Sequence, residues 1–158
     1  WRKWCFLAVR ISVNVSPAQL RHRSFVPEIR KAISIDARAA AGLELEITES
    51  LIMEDVKHSI ATLQAIREMG VTIAIDDFGT GFSSLSYLAK LPVDTLKIDR
   101  SFVIGLPEAP EGLALVSTIV TLANSLTRNG VAHGVDTEAQ AGRLRALACV
   151  ELQGDVFG

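Results

Sequence analysis

Four side chains with hard oxygen donors lie in or at the ends of short apolar runs of this sequence: Asn14, Glu46, Asp76 and Asp77. Polar oxygens in apolar strands are costly to bury unless they are paired or bind a metal ion. Amide and carboxylate oxygens together suit Mg²⁺ or Mn²⁺ and suit zinc poorly. Two such ions roughly 3.5–4 Å apart are a common device for in-line attack on a phosphodiester. The set therefore indicates a divalent-metal site for phosphate-ester chemistry.

Three more polar residues recur in the same kind of place: Lys97, His133 and Gln153. A lysine next to a metal pair can orient water or neutralise a phosphoryl oxygen. Each residue also has an ordinary interpretation when it is taken alone. A strand-end asparagine is often a turn former, a surface Lys97–Asp99 pair contributes little, and a lone histidine is usually packed or solvated. Their joint recurrence at strand ends favours a functional site.

A glycine-rich segment follows the two aspartates and reads Phe78-Gly79-Thr80-Gly81. Glycine adopts backbone conformations that other residues avoid, so this segment can form a tight loop. Such a loop is able to cover a site at the end of the preceding strand.

Short runs rich in Val, Ile and Leu alternate with segments of helical period, which predicts strand-then-helix units. The predicted strands are Leu7–Val15, Leu43–Thr48, Val71–Asp76, Thr95–Ile98, Val131–Val135 and Val150–Gln153. They are apolar nearly throughout, which is typical of strands covered on both faces. Six such units imply a parallel α/β sheet, and both an open doubly wound sheet and a (β/α)8 barrel fit the pattern.

Helix boundaries are marked by capping residues. Ser16-Pro17-Ala18-Gln19 and Thr137-Glu138-Ala139-Gln140 both read as capping boxes. Gly70 is placed to end a helix, and Gly130 is predicted to end the helix that contains Leu113 and Val120. The segment Pro107–Pro110 is predicted to be a loop.

The bulk composition limits the classes of partner. The chain has 158 residues, 49% hydrophobic residues and a formal net charge of −2, which indicates one globular domain over 1–158. This charge gives no general attraction to duplex nucleic acid. No apolar run approaches the roughly 20 residues that span a bilayer. Cys5 and Cys149 form no CxxC pair, so a reduced cytoplasmic setting is the simplest expectation.

Four strings resemble successive signatures of the EAL domain family: SVNVSPAQL, LELEITES, AIDDFGTGFSSLSYLAKLPVDTLKIDRSFV and LQGDVFG. The resemblance implies an α/β fold, a (β/α)8 TIM-barrel variant with one antiparallel strand. It also implies hydrolysis of cyclic-di-GMP to linear pGpG with two Mg²⁺ or Mn²⁺ ions. The resemblance covers the last six βα units of such a barrel, so the domain is expected to be N-terminally incomplete here. It places Trp1–Phe6 near the end of the preceding helix.

The resemblance also implies roles for single residues. Asn14, Glu46 and Asp76 correspond to ligands of the metal pair, with Asp76 as the bridge and Asp77 on the second ion. Lys97 would contact the attacking water or the phosphate, and Gln153 would complete the polar rim. Glu49 resembles the glutamate that holds the glycine loop. The substrate would lie near the loop and near Pro92, which adds Phe78, Gly79, Thr80, Gly81 and Pro92 as substrate-binding candidates.

Three departures from the family pattern bear on activity. The glutamate-alanine-leucine signature that names the family is absent from the chain. His133 stands where the family places a catalytic glutamate, and Asp136 stands at a second glutamate position. Asp155 replaces the aromatic residue that usually follows Gln-Gly. The alternative is therefore a degenerate domain that binds cyclic-di-GMP or a protein partner without turnover.

We also expect a homodimer and a place within a larger signalling protein. A further alternative is a chain without stable function, because an unclosed barrel exposes sheet edges.

Overall fold

The computed structural model describes residues 10–79, 85–106, 110–126, 129–147, 149, 151–153 and 155. Its centre is a six-stranded sheet in the order β1-β2-β3-β4-β5-β6, in which every pair is parallel. The strands are β1 (Ile11–Asn14), β2 (Leu43–Thr48), β3 (Thr72–Phe78), β4 (Thr95–Ile98), β5 (Asn129–His133) and β6 (Glu151–Gln153). Neighbours along the chain are therefore neighbours in the sheet.

Helices connect these strands in the alternation that the sequence predicts. They are α1 (Pro17–Arg21), α2 (Phe25–Ile33), α3 (Glu49–Glu54), α4 (Val56–Glu68), α5 (Leu85–Lys90), α6 (Arg100–Ile104), α7 (Pro110–Ser125) and α8 (Glu138–Ala146). A doubly wound sheet reverses its strand order and carries helices on both faces. The order here never reverses in the described residues, so right-handed crossovers put the helices on one face. The sheet curls like half of a barrel, which confirms the barrel-type expectation.

The helix-covered face of the sheet is the centre of the hydrophobic core. Ile47, Ile73, Ile75, Leu96 and Ile98 have no solvent exposure. These residues alternate along β2, β3 and β4, because successive side chains of a strand point to opposite faces. At the end of the sheet, Ile11 and Val13 of β1 remain exposed.

Both predicted capping boxes are present. The Ser16 hydroxyl accepts from the Gln19 N–H while the Gln19 side chain accepts from the Ser16 N–H. Thr137 and Gln140 make the same reciprocal pair at the start of α8. Gly70 has a φ of 89° just beyond α4, as a helix-ending glycine does.

Some predicted boundaries are wrong. Gly130 does not end a helix, because α7 stops at Ser125 and Gly130 pairs with Leu96 within the sheet. Strand β5 ends at His133, before Gly134, whose φ is 67°. Strand β3 runs on to Phe78, beyond the predicted end at Asp76. Pro110 is the first residue of α7, while 107–109 lie outside the described residues.

The expectation that the strands are covered on both faces holds for the central strands β2, β3 and β4, in which residues of both faces are buried, while β1 and β6 are more exposed. On the second face, β2 contributes Glu44 and Glu46, and β4 contributes Lys97. The runs read as apolar throughout because the apolar face dominates their composition. This second face carries the candidate site.

Candidate active site on the polar face

The six residues predicted at strand ends occupy equivalent positions of one sheet face. Asn14 pairs with Glu46, and Asp76 pairs with Thr48 on the same strand as Glu46. Ala74 of β3 pairs with Thr95 of β4. Asp76 and Lys97 each lie two residues further along these strands, so they are on the same face as this pair. Lys97 in turn pairs with Val131, two residues before His133, and His133 pairs with Gln153. The register alone therefore brings these positions to one face, since alternate residues share a face.

A β-bulge interrupts β3 at the two aspartates. Ile75 pairs with Leu96 and Phe78 pairs with Ile98, so Asp76 and Asp77 together oppose Lys97. Asp77 has a φ of 54°, in the left-handed region, and its N–H donates to Asp76 Oδ1 at 3.0 Å. A bulge redirects side chains that strict alternation would send to opposite faces. Here it places two adjacent carboxylate residues across from one lysine.

Lys97 is a buried cation of β4 that is held by two carboxylates of β2, which lies two strands away in the same sheet. Its side chain is 5% exposed, and its Nζ donates a hydrogen bond to Glu46 Oε1. Glu44 Oε1 lies 3.9 Å from the same Nζ. Lysine and glutamate are almost never buried without partners, so this grouping explains how the charges are accommodated. The interpretation of Lys97 and Asp99 as a surface pair does not hold, because the Lys97 side chain is buried and its ammonium is bonded to Glu46.

Glu49 lies where it can hold the glycine segment. Its Oε2 accepts the Gly79 N–H at 3.1 Å, and Glu49 is 4% exposed. Gly79 has a φ of 103°, and a Cβ there would stand 2.9 Å from the Phe102 ring. Only glycine fits this position without strain. The contact is the one that a loop-anchoring role for Glu49 requires.

The remaining predicted ligands and rim residues lie at the ends of the sheet. Asn14 is exposed at the end of β1, and Gln153 is exposed in β6. The Gln153 carbonyl accepts the Val135 N–H at 3.1 Å, which ties the turn after His133 to β6. The side chain of His133 falls outside what the structure describes.

Two of the substrate-binding candidates lie away from the polar face. Phe78 is 6% exposed and packs in the core with Ile75 and Leu91, away from the polar face. Pro92 precedes β4 in a groove shared with Arg67 and Glu68, at the opposite end of the strands from Asp76. Thr80 and Gly81 lie outside the described residues.

A link between two turns frames the site on the β5 side. Arg100, at the start of α6, donates to Asp136 Oδ2 at 2.7 Å. Gly134, two residues before Asp136, packs directly against Arg100, because a Cβ at Gly134 would stand 2.1 Å from the Arg100 side chain. The Asp136 carboxylate is thus engaged by a guanidinium.

A cavity of about 410 Å³ opens on the polar face. This volume lies within the roughly 300–1,000 Å³ of typical small-molecule sites. It is lined by Arg10, Ser12, Glu44, Thr95, Lys97, Val131, Glu151 and Gln153.

These features are those of a barrel-type site in which polar side chains line the sheet interior at the carboxyl ends of parallel strands. The family model for the EAL domain matches residues 1–158. The chain belongs to the EAL domain family.

Relatives of this EAL domain carry names that refer to cyclic-di-GMP. The chain is 45% identical over 148 residues to MucR of Pseudomonas aeruginosa, named a bifunctional diguanylate cyclase/cyclic di-GMP phosphodiesterase; the match covers 94% of this chain and 22% of MucR. It is 41% identical over 149 residues to the cyclic di-GMP phosphodiesterase NbdA of the same organism, covering 94% of this chain and 19% of NbdA. The chain thus spans about a fifth of the length of these curated relatives.

A solved structure shows the same fold for the EAL domain. The structure of the MucR phosphodiesterase in complex with c-di-GMP superimposes with a TM-score of 0.90 at 44% identity. The match covers 94% of this chain and 60% of that chain. The EAL domain of Mycobacterium smegmatis DcpA superimposes with a TM-score of 0.84 at 42% identity, over 92% of this chain and 65% of that chain.

The polar face of this EAL domain has the donor chemistry for hard divalent cations. Asn14 and Glu46 face each other across strands that lie about 4.8 Å apart, and the bulge adds two carboxylates on the next strand. Within the described residues, no three His, Cys, Asp or Glu side chains group closely enough to hold a metal ion as they stand. Glu46 Oε1 is bonded to Lys97, so a cation that binds this oxygen would displace the ammonium.

The sequence interpretation missed the buried partners of Lys97 in the EAL domain. Glu44 is 6% exposed and interacts with Lys97, Ser12 and Arg10. The available signal was the two-residue spacing of Glu44 and Glu46, which puts both on one strand face.

The described helices include none long and apolar enough to cross a membrane.

Proposed function

We propose that this EAL domain hydrolyses cyclic-di-GMP to pGpG in a reaction that depends on Mg²⁺ or Mn²⁺. The observation that carries the proposal is the bulge that sets Asp76 and Asp77 opposite Lys97. Support comes from the similarity to MucR, whose structure is a complex with c-di-GMP.

In this proposal Asn14, Glu46, Asp76 and Asp77 hold the cations. Bound divalent cations would lower the pKa of the attacking water and neutralise charge on the phosphoryl oxygens. Asp76, midway along the polar face, is suited to serve both ions.

The cationic and polar residues would position the substrate. Lys97 orients the water or contacts a phosphoryl oxygen from the centre of the face. Gln153 lines the cavity on the β6 side. Glu49 holds Gly79 in place through the 3.1 Å hydrogen bond, and this shapes the start of the loop that follows Asp77.

The second candidate is a domain that binds cyclic-di-GMP without turnover, and His133 is the observation that favours it. A neutral imidazole supplies neither the charge nor the hard oxygen of a glutamate. Its backbone position next to Gln153 lies on the same face as Lys97. Mg²⁺ should tolerate this change less well than Mn²⁺.

We further propose that the domain works in the cytoplasm within a larger signalling protein. The support is that MucR and NbdA are about five times as long as the matched region. The homodimer stays a prediction.

The test compares the protein with its His133→Glu variant. Chromatography measures the rate at which each form converts cyclic-di-GMP to pGpG, once with Mg²⁺ and once with Mn²⁺. We expect slow turnover with Mg²⁺ and an increase of about 10²–10³-fold in the variant, because an electrostatic partner of that value is restored. His58→Glu is the matched control, since His58 is exposed on α4, away from the cleft.

Two outcomes would contradict parts of this account. If the histidine form already matches the glutamate form with Mg²⁺, the assignment of position 133 is wrong. If neither form hydrolyses cyclic-di-GMP but calorimetry shows that both bind it, the second candidate replaces the first.

A further inference from the structure

Glu44 places a second buried carboxylate next to Lys97. Glu44 and Glu46 lie on the same face of β2, two residues apart, and their side chains are 8% and 9% exposed. Lys97 Nζ is bonded to Glu46 and lies 3.9 Å from Glu44 Oε1. One buried ammonium is therefore shared between two buried carboxylates.

Glu44 is held in place by its own partners on β1 and just before it. The Ser12 hydroxyl donates to Glu44 Oε1 at 3.0 Å, and Arg10 Nη1 lies 3.4 Å from Glu44 Oε2. Because Ser12 contacts the same oxygen that faces Lys97, the position of this oxygen is fixed. Glu44 is thus a prepared acceptor that Lys97 reaches through a small rotation of its side chain.

Cation binding at Glu46 would take the carboxylate partner away from the buried Lys97 ammonium, and Glu44 lies close enough to replace that partner. An oxygen of Glu46 cannot accept the Lys97 ammonium and coordinate a divalent cation equally well. A buried ammonium that loses its carboxylate is strongly destabilising. We propose that Glu44 is a positioning residue that takes over Lys97 when Glu46 binds a divalent cation. This inference rests on the proposed metal-binding role of Glu46.

Two other roles for Glu44 predict different behaviour. Glu44 acting only through its negative charge would strengthen cation binding whether or not Lys97 is present. Glu44 acting as a direct metal ligand would also do so without Lys97. Only the exchange of partners makes the effect of Glu44 depend on Lys97, and a double-mutant cycle measures this dependence.

The experiment measures the Mn²⁺ dissociation constant by calorimetry for the protein, Glu44→Gln, Lys97→Met and the double variant. We expect Glu44→Gln to weaken Mn²⁺ binding by about tenfold or more, because the loss of residues that orient metal ligands typically has an effect of this size. In the Lys97→Met background the same substitution should change the constant by less than about twofold. Equal losses in both backgrounds would overturn the proposal.

A second variant keeps the test decisive if Lys97→Met does not fold. Glu44→Asp retains the charge but shortens the reach toward Lys97, so it should weaken Mn²⁺ binding as Glu44→Gln does. Binding equal to that of the unsubstituted protein would instead support a pure charge effect and overturn the exchange. Glu54→Gln is the control, because Glu54 forms an exposed pair with Arg21 at 2.8 Å, outside the site.

The outcomes also separate this inference from the proposed function. Absence of Mn²⁺ binding by the unsubstituted protein would overturn both the metal-dependent function and the exchange. Normal Mn²⁺ binding with no coupling between Glu44 and Lys97 would overturn the exchange alone.

Discussion

The two faces of the same six-stranded sheet are stabilised in different ways, one by apolar packing and the other by pairing of buried charges. On the helix-covered face, Ile75, Leu96 and Ile98 are fully buried and need only close packing. On the other face, Glu44, Glu46 and Lys97 are nearly as buried but need partners for their charges. Successive residues of one strand, such as Lys97 and Ile98, therefore serve different purposes. The apolar face stabilises the fold, and the polar face keeps charged groups available for binding.

The largest expected effect is the loss of stability at Lys97, which we compare with the loss at Ile98, the next residue of β4. Lys97→Met removes the cation of the buried Glu46 carboxylate and leaves Glu44 with Arg10 alone, so it should lower the free energy of unfolding by about 3–5 kcal/mol. Ile98→Val, one residue further on the opposite face, should cost only about 0.5–1.5 kcal/mol. Urea unfolding of both variants measures these changes. Similar costs for the two would show that the carboxylates do not depend on Lys97.

A smaller effect is expected where the polar face meets the glycine segment. Gly79→Ala should lower the free energy of unfolding by about 1–3 kcal/mol, because φ there is 103° and the new Cβ meets the Phe102 ring. Gly142→Ala is the matched control. Gly142 lies in α8 with nothing within 4 Å of a new Cβ, so alanine should stabilise the protein by about 0.4–1 kcal/mol. Thermal unfolding that moved in the same direction for both would contradict this account of Gly79.

The sequence predicted the apolar half of this comparison better than the polar half. Strands β2 and β4 have the predicted bounds, because their apolar runs are short and end at polar residues. The two capping boxes were predictable because their side chains contact backbone only three residues away. Gly130 was misassigned, since its pairing with Leu96 joins residues that are distant in the chain.

The geometry of the candidate site needed the structure. The strand ends identified Asp76 and Lys97 as neighbours, but a bulge that leaves Asp77 at a φ of 54° has no local signal in this sequence. Phe78 belongs to the core because the bulge resets the alternation after Asp77. The contacts of Glu44 with Ser12 on β1 and with Lys97 on β4 depend on the order of the strands in the sheet, and spacing within one strand cannot show this order.

Titration of the protein with Mn²⁺ by calorimetry is the most direct test of the central claim, that the carboxylates of the polar face bind divalent cations. Asp76→Ala should weaken binding by at least about 10–100-fold, the loss that follows even from removing outer partners of metal ligands. Asp77→Ala should weaken it less, because a bridging carboxylate serves both ions. Glu54→Gln, outside the site, should bind as the unsubstituted protein does. Equal losses in the two aspartate variants would contradict Asp76 as the bridge, and no loss in either would contradict the site itself.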